Sequence, residues 1–535
     1  MSADRALVRL AVRSSLRGAL AWGVVIGATA GSSAAAYVKA FPDAASRAQL
    51  AATTGHDAGL SVLLGSTADI GTVGGYTVYK GFTFLTTIAA LWALFAATRL
   101  LRGEEDAGRW ALVLAGGTRP GRATAATLAG LAAAVALMTL VAAATLAAVG
   151  RDASVAIGPA AALRYALSIT VVAAVFAGVG ALAAQLASDR RTANGLGAVV
   201  LVVATVLRMI GDAGTATRWV RWTTPLGWAE AVAPLTRPSP LALVPGLVAA
   251  VALAATAVVV AGRRDVGHGV LARHGRPAPP SHLTSTLGFS WHLERTALVA
   301  WTLALAASGA LLGALAQLTL RPVPGSMGDL LEDLGASGSF AQQYFGVVTL
   351  LLATVVALLP AGQLGAAADE ERAGRLVHLL VAPVHRARWL GERLGLAAAA
   401  AIAAGGVLAG VAMWGAARIV GVSAGAADLL GAGASVVPPA WAVLGVGAAW
   451  WAVAPRTAAV AVYVAVAWSA LVDLLLPMVA GPTADVVERA SIFHYVALAP
   501  AEPLQPLALA ACTAVGLAGA LVACRTFARR DLALG

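Results

Sequence analysis

About twelve apolar stretches, each close to twenty residues long, constrain this chain more than any other feature of it. A helix of that length rises about 30 Å, the thickness of a bilayer's hydrocarbon core. In a helix the backbone also satisfies its own N–H and C=O groups where no water can. The stretches fall at roughly 18–40, 81–98, 124–148, 163–186, 193–211, 241–261, 296–318, 343–366, 394–416, 433–453, 457–479 and 506–524. A soluble protein with many buried helices would need polar sequence to coat them. Only 12% of residues are charged here, against about 25% in a typical soluble domain. The first stretch reads as a span and not as a cleavable signal, because further apolar stretches follow it instead of a soluble domain. The expectation is an all-α, multi-pass protein of the cytoplasmic (plasma) membrane.

Arginine gives the orientation. The basic residues comprise 35 Arg and only Lys39 and Lys80, for a net charge of +11. In a soluble chain that balance would suggest nucleic acid; here it reports Arg held in cytoplasmic loops, and no nucleic-acid partner is expected. Arg5, Arg9, Arg13 and Arg17, spaced by four, form one stripe of a helix. With Leu7, Val8 and Ala11 opposite, that stripe reads either as a short amphipathic helix on the inner membrane surface or as a plain positive flank. The 2–3, 4–5 and 8–9 loops, the 6–7 linker and the tail are Arg-rich, whereas the 7–8 loop holds Asp329, Glu332 and Asp333. Both termini are therefore expected inside. Arg218, Arg221 and Arg237, in an outer loop, run against the trend.

An internal repeat organises the rest. Glu104-Glu105-Asp106-Ala107-Gly108-Arg109 recurs as Glu370-Glu371-Arg372-Ala373-Gly374-Arg375, at an offset of 266. Arg191-Thr192-Ala193 recurs as Arg456-Thr457-Ala458, and Arg263-Arg264-Asp265 as Arg529-Arg530-Asp531, at offsets of 265 and 266. Each match is weak alone, but three in order at almost one offset indicate duplication. Six spans per half make a parallel repeat about an axis along the membrane normal. The expected division is 1–261 as a first transmembrane half with its N-terminal helix, 262–294 as a cytoplasmic linker, and 295–535 as a second half.

No catalytic constellation emerges. Gly116-Gly117-Thr118-Arg119-Pro120-Gly121-Arg122-Ala123 approaches a phosphate loop but lacks its Lys and its Mg²⁺-binding hydroxyl, and no strand precedes it. Gly421-Val422-Ser423-Ala424-Gly425 matches a nucleophile elbow by letter only, in an outer loop. The linker histidines His268, His274, His282 and His292 lack zinc-site spacing. Cys512 and Cys524, twelve positions apart on one helix, stand about 18 Å apart, beyond disulfide reach, and leave the redox compartment open. No metal or cofactor is expected on this chain.

The 2–3 and 8–9 loops are longer than a simple turn between spans requires. Each opens with acidic residues that suit a helix N-terminus and continues with apolar ones: Trp110, Leu112, Val113 and Leu114 in the first, Leu376, Val377, Leu379, Leu380 and Val381 in the second. Such a segment is either an ordinary surface helix or an inside-facing helix that docks in a groove on a cytoplasmic partner. Its recurrence in both halves favours docking.

The repeated E-E-x-x-G-R segment, the N-terminal helix and the six-plus-six layout resemble ABC-2-type exporter permeases. Thr224-Pro225-Leu226-Gly227-Trp228-Ala229-Glu230, and Ser491-Ile492-Phe493-His494-Tyr495 in the second half, look like the outer segments of fused permeases in the actinobacterial antibiotic and polyketide exporter group. The resemblance implies an exporter of hydrophobic or amphipathic small molecules, driven by a separately encoded ABC ATPase homodimer that supplies ATP and Mg²⁺ chemistry. It places Glu104, Glu105, Gly108 and Arg109, with Glu370, Glu371, Gly374 and Arg375, at the ATPase-coupling helices. It marks Pro225, Trp228, Phe493 and His494 in the outer segments. Arg372 replaces Asp106 in the second copy, so the two ATPase contacts need not be equal. Major facilitator carriers supply the competing resemblance, a D-R-x-G-R pattern that Glu371-Arg372-Ala373-Gly374-Arg375 approaches. The long loops and the scarcity of intramembrane carboxylates for proton relay count against a proton-coupled multidrug carrier of that kind.

Charges within spans are functional candidates by default. Arg208 and Asp473 are separated by the offset of the Arg-Thr-Ala repeat, which makes them the same site in the two halves. The resemblance to ABC-2 permeases implies that span five faces the pseudo-twofold axis, where an ion pair between them would close the outer pathway. The alternatives are a pair of Arg208 with Asp212, one helical turn away, or an Arg208 that snorkels to the outer surface, with Asp473 simply near the outer interface. Trp414, Trp441, Trp450, Trp451 and Trp468 read as interfacial anchors and packing residues.

Overall fold

The computed structural model describes residues 3–54, 65, 69–212, 216–271, 285–316, 340–372, 374–381, 384–422, 424–475, 491–495 and 497–531. The acidic residues of the 7–8 loop, His274 and His282 of the linker, Ala373 and Ser423 lie outside them. Among the described residues the chain is helical, without a strand. It divides into two compact units, Met1–Arg276 and Pro277–Gly535.

In the first unit the long helices are α1 (Ala3–Ala40), α2 (Val73–Thr98), α4 (Pro120–Val149), α5 (Pro159–Leu186), α6 (Arg190–Asp212) and α8 (Val244–Arg263). Shorter helices intervene, among them Ala44–Thr54 after α1, α3 (Arg109–Ala115) after α2 and α7 (Pro225–Ala231) after α6. In the second unit they are matched by α9 (Thr286–Leu315), α10 (Phe340–Arg372), α11 (Arg375–Leu380), α12 (Arg386–Leu396) with α13 (Ala404–Ile419), α14 (Ala426–Ser435) with α15 (Val437–Val453), α16 (Ala458–Leu475) and α17 (Pro506–Arg529). Among the described residues, eleven helices are long and apolar enough to cross a membrane. Of the twelve expected spans, the remaining one is the shorter apolar helix α16. Residues 476–490, which follow it, lie outside the described set.

Local chemistry sets the helix starts. Thr72 and Ser285 accept the Gly75 and Gly288 N–H groups at 3.0 Å, and Pro120 and Pro159 open α4 and α5. A side-chain oxygen at the cap satisfies a backbone donor that the helix leaves unpaired, and proline at the first position has no N–H to lose. The basic stripe of the N-terminus is not a separate helix. It is the opening of α1, which runs unbroken to Ala40. Arg5, Arg9, Arg13 and Arg17 are exposed, while Leu7, Ala11, Ser15 and Ala19 are buried along the other side.

Small residues let the spans close on one another. On α1, a methyl group at Gly23 would fall 2.9 Å from the Met138 carbonyl oxygen of α4, and one at Gly27 would fall 2.5 Å from that of Ala142. On α9, Gly309 and Gly313 press on the Ala409 and Met413 carbonyls of α13. Ala142 and Ala409 are separated by nearly the repeat offset, so the first and third spans of each half meet at the same seam. A second seam joins α15 to α17, where Gly445 faces Gly516 backbone to backbone. Its first-half counterpart is looser, with Gly178 of α5 meeting the Leu253 side chain of α8.

Candidate functional site

The E-E-x-x-G-R segment is an elbow, and it is built the same way twice. In the first unit α2 passes through a π-helical turn, Arg99–Gly103, into the single turn Glu104–Asp106. In the second unit α10 carries through to Arg372. The chain then enters the left-handed region at Gly108 (φ +72°) and at Gly374 (φ +70°). The Gly108 N–H donates to the Glu105 carbonyl at 2.9 Å, and the Gly374 N–H to that of Glu371 at 3.0 Å. A glycine with positive φ ends a helix and turns the chain without a Cβ clash. The next helix starts at once, with Ala111 N–H to Gly108 O at 3.2 Å and Val377 N–H to Gly374 O at 3.1 Å. Trp110 in the first short helix and Leu376 in the second are buried, and Val113 with Leu114, and Leu379 with Leu380, pack half-buried against the same cores. The outer faces remain open: Leu112 is 76% exposed and Val381 82%.

Glu105 and Glu371 point inward. Arg264, one residue past the end of α8, forks onto Glu105, with Nη1 to Oε1 at 2.8 Å and Nη2 to Oε2 at 2.5 Å. The Gly267 N–H adds a third bond, to Oε1 at 2.6 Å. In the second unit Arg530, one residue past the end of α17, places Nη2 2.7 Å from Glu371 Oε2. Both pairs span 159 residues of sequence. The carboxylate side chains are 3% and 1% exposed. Two repeats visible in the sequence, E-E-x-x-G-R and R-R-D, are thus the two ends of one contact.

What surrounds that contact differs between the halves. In the first, fully buried Arg102 reaches Glu105 at 3.0 Å, Asp106 at 3.3 Å and the Ser188 carbonyl at 2.5 Å. The Arg190 N–H donates to Asp106 at 2.8 Å, and Gln185 accepts Arg264 Nε at 2.8 Å. In the second, the Arg530 guanidinium lies over the rings of Trp451 (5.0 Å) and Phe527 (5.3 Å), with Trp389 packed on Phe527. Arg393 holds Glu294 at 2.5 Å and Glu370 at 2.6 Å.

The remaining motif residues follow from this. Glu104 is taken by Arg109, a fork of 2.6 and 2.8 Å at the surface. Its counterpart Glu370 is turned to Arg393, and Arg375 is exposed. Arg372, in the place of Asp106, meets Asp369 at 2.8 Å.

In the last turns of α6, Arg208 is buried and donates from Nη1 to Asp212 (3.0 Å) and to Glu230 of α7 (2.9 Å). Arg221 pairs with the other oxygen of Asp212, and Arg237 with Asp69 at 3.3 Å. Two of the three outer arginines that break the charge trend are therefore paired with carboxylates. Pro225 opens α7 behind a Thr224 cap, and Trp228 donates to the Trp222 carbonyl at 2.7 Å. In the second unit Asp473 accepts from Ser491, whose Oγ also receives the Phe493 N–H at 3.1 Å. Phe493 is buried and His494 exposed. Of the sequence alternatives for Arg208, its own unit supplies Asp212. Glu230 joins them from 22 residues on, and no spacing rule pointed to it.

Two bundles of membrane-length helices, each carrying an equivalent elbow, define a multi-pass membrane protein. Residues 283–528 match the family model described as "Multidrug efflux system permease Rv1217c, C-terminal domain". The chain is also similar to the multidrug efflux system permease protein Rv1217c of Mycobacterium tuberculosis. The two are 28% identical over 451 residues, 81% of this chain and 77% of that protein. Both findings support the resemblance to ABC-2-type exporter permeases.

Proposed function

We propose that this chain is the membrane subunit of an ATP-driven exporter that moves a hydrophobic or amphipathic, drug-like molecule out of the cell. A separately encoded ATPase dimer supplies the hydrolysis, one ATPase subunit on each elbow. The observation that carries this reading is the duplicated elbow. Each half offers a short helix that is anchored on one side, apolar and open on the other, and hung from a glycine that fixes its direction. The chain has no phosphate loop of its own, so nucleotide chemistry has to come from a partner. The relative Rv1217c carries the name of a multidrug efflux permease, which supports a drug-like substrate.

The test is co-purification with the ATPase encoded beside it, followed by ATP hydrolysis and substrate transport in lipid vesicles. A complex with two ATPase subunits per chain, and ATP-dependent transport, is the expected result. Transport that ignores ATP and follows an imposed pH gradient would overturn the proposal in favour of a proton-coupled carrier.

A further inference from the structure

The arginine stripe of α1 stands deeper than a positive flank needs to. Gly121 of α4 lies against Val258 and Gly262 of α8, and Arg263 follows at once, where the exposed apolar face of α8 (Val248, Val251, Val259) ends. The inner ends of α2 and α6 are tied in at the same level, through Glu105–Arg264 and the Arg190 N–H bonded to Asp106. Those contacts mark the inner edge of the bilayer. Farther along α4, Gly130 presses on Val8 and Ala11 of α1, and Gly23 of α1 meets Met138. By helical rise these two contacts lie about 13 and 25 Å beyond Gly121. Arg13 and Arg17 fall between them, at the depth of the hydrocarbon.

Both arginines are exposed on the side of α1 turned from α4, and neither has an ion-pair partner among the described residues. The carboxylates of the inner ends are taken: Asp4 by Arg122, Glu104 by Arg109, and Asp106 by Arg102. Arg99 joins the pair from the π-helical turn of α2, exposed and donating to the Ser14 carbonyl at 2.9 Å. Guanidinium groups facing lipid at that depth are costly, and snorkelling recovers only part of the cost. Facing water in a transport pathway, they are not. Farther out, the same face of α1 changes character. Positions 13, 17, 20 and 24 repeat at the helical interval, so exposed Leu20 and Val24 continue the line of Arg13 and Arg17.

Cationic surface below and apolar surface above complement a molecule that carries an acidic group on an apolar body. Guanidinium groups suit carboxylate, sulfate and phosphate oxygens alike. We propose that Arg13, Arg17 and Arg99 bind the acidic group of an amphipathic anion that the chain exports, with Leu20 and Val24 against its apolar part; its standing as the substrate rests on the exporter reading. A phospholipid in its leaflet keeps its headgroup at the bilayer edge, well short of Arg13 and Arg17. The second half does not repeat the set. Aligning Gly309 and Gly313 of α9 with Gly27 and Gly31, which pack on the equivalent seam, puts Arg295 at the place of Arg13 but Val299 at that of Arg17. At the offset of the E-E-x-x-G-R repeat, Arg99 becomes Gly365.

The probes are dansyl-undecanoic acid and its methyl ester, which share a body and differ in charge. Binding to the purified chain in phosphatidylcholine nanodiscs is read by dansyl fluorescence against empty discs of the same lipid. The acid should bind about tenfold tighter than the ester, the worth of one charge-assisted hydrogen bond. Arg13→Gln with Arg17→Gln should bring the acid's affinity down to the ester's, and Leu20→Ser with Val24→Ser should weaken both probes. Arg99→Gln leaves the basic flank of α1 intact, and it should lower the preference severalfold even if the glutamine pair fails to insert. Equal binding of acid and ester, or a preference that these glutamines do not change, overturns the site. Loss of acid binding when phosphatidylglycerol replaces part of the phosphatidylcholine assigns the face to a lipid headgroup and overturns the substrate role. A preference in binding without ATP-driven export of the acid counts against the exporter reading and leaves the anion site standing.

Discussion

The two elbows make the same turn and the same Glu–Arg contact, but they solve the burial of an arginine differently. The first surrounds Arg264 with polar partners: Gln185, the carbonyls of Asp265 and His268, and, through Glu105, the buried Arg102. The second lays Arg530 on aromatic rings. The repeat register shows how the exchange was made. At the offset of the E-E-x-x-G-R repeat, Gln185 becomes Trp451, Ala261 becomes Phe527, and Ala123 becomes Trp389. Where the rings stand in the second half, the first has a small cavity lined by Trp110, Gln185, Ala261 and Arg264. Bracing has migrated too. Arg102 corresponds to Ala368, and the second half takes its brace from Arg393, whose first-half position is Thr127. A buried guanidinium needs either acceptors or a π face, and the comparison shows that either suffices while the carboxylate it grips is kept.

Removing the braces should give the largest effect and the least difference between halves. Arg102→Ala strands Glu105 and Asp106 in part, and Arg393→Ala strands Glu294 and Glu370. Each should cost about 3–5 kcal/mol of stability, read from thermal melting of the protein in detergent. A clearly smaller loss for one would mean that its half relies on the Glu–Arg contact alone. Next comes Trp451→Leu, which keeps an apolar side chain but removes a π face from Arg530. A loss of about 1–2 kcal/mol is expected, nearly independent of salt, and no loss would show that Phe527 alone supports the cation. The smallest effect should come from Gly108→Ala and Gly374→Ala. With open space around both positions, only backbone conformation opposes the methyl group. Each should cost about 1 kcal/mol, equal in the two halves. Unequal values would break the claim that the elbows share one turn.

Much of this was legible in the sequence because it is written in local pattern. Apolar length marked the spans, and every long helix covers an expected stretch. The repeated segment marked the elbows, and its glycine carried the turn. The partnership of Glu105 with Arg264 was not legible, since 159 residues separate them and R-R-D read only as a cytoplasmic flank. A signal existed nonetheless: two charged segments of opposite sign were duplicated at one offset, as a contact present in both halves requires of its two ends. Glu230 closes the Thr224–Glu230 segment, but its role depends on α7 folding back toward α6 and bringing it to Arg208, which no periodicity encodes. The join between the basic stripe and the first span was also hidden. The residues opposite the arginines suit a membrane surface and a neighbouring helix equally well, and α4 turned out to be that neighbour.

The seam between α15 and α17 has a consequence of its own. Where Gly445 and Gly516 bring two backbones into contact, neither helix can slide or roll without driving a Cα into the other's carbonyl. Gly519 repeats the constraint one turn on, where it abuts Gly445. The pair therefore moves as a single spar. In the first half no glycine pair meets in this way: Gly178 of α5 faces the Leu253 Cβ of α8, with the Ala250 carbonyl oxygen 3.4 Å from where its own Cβ would stand.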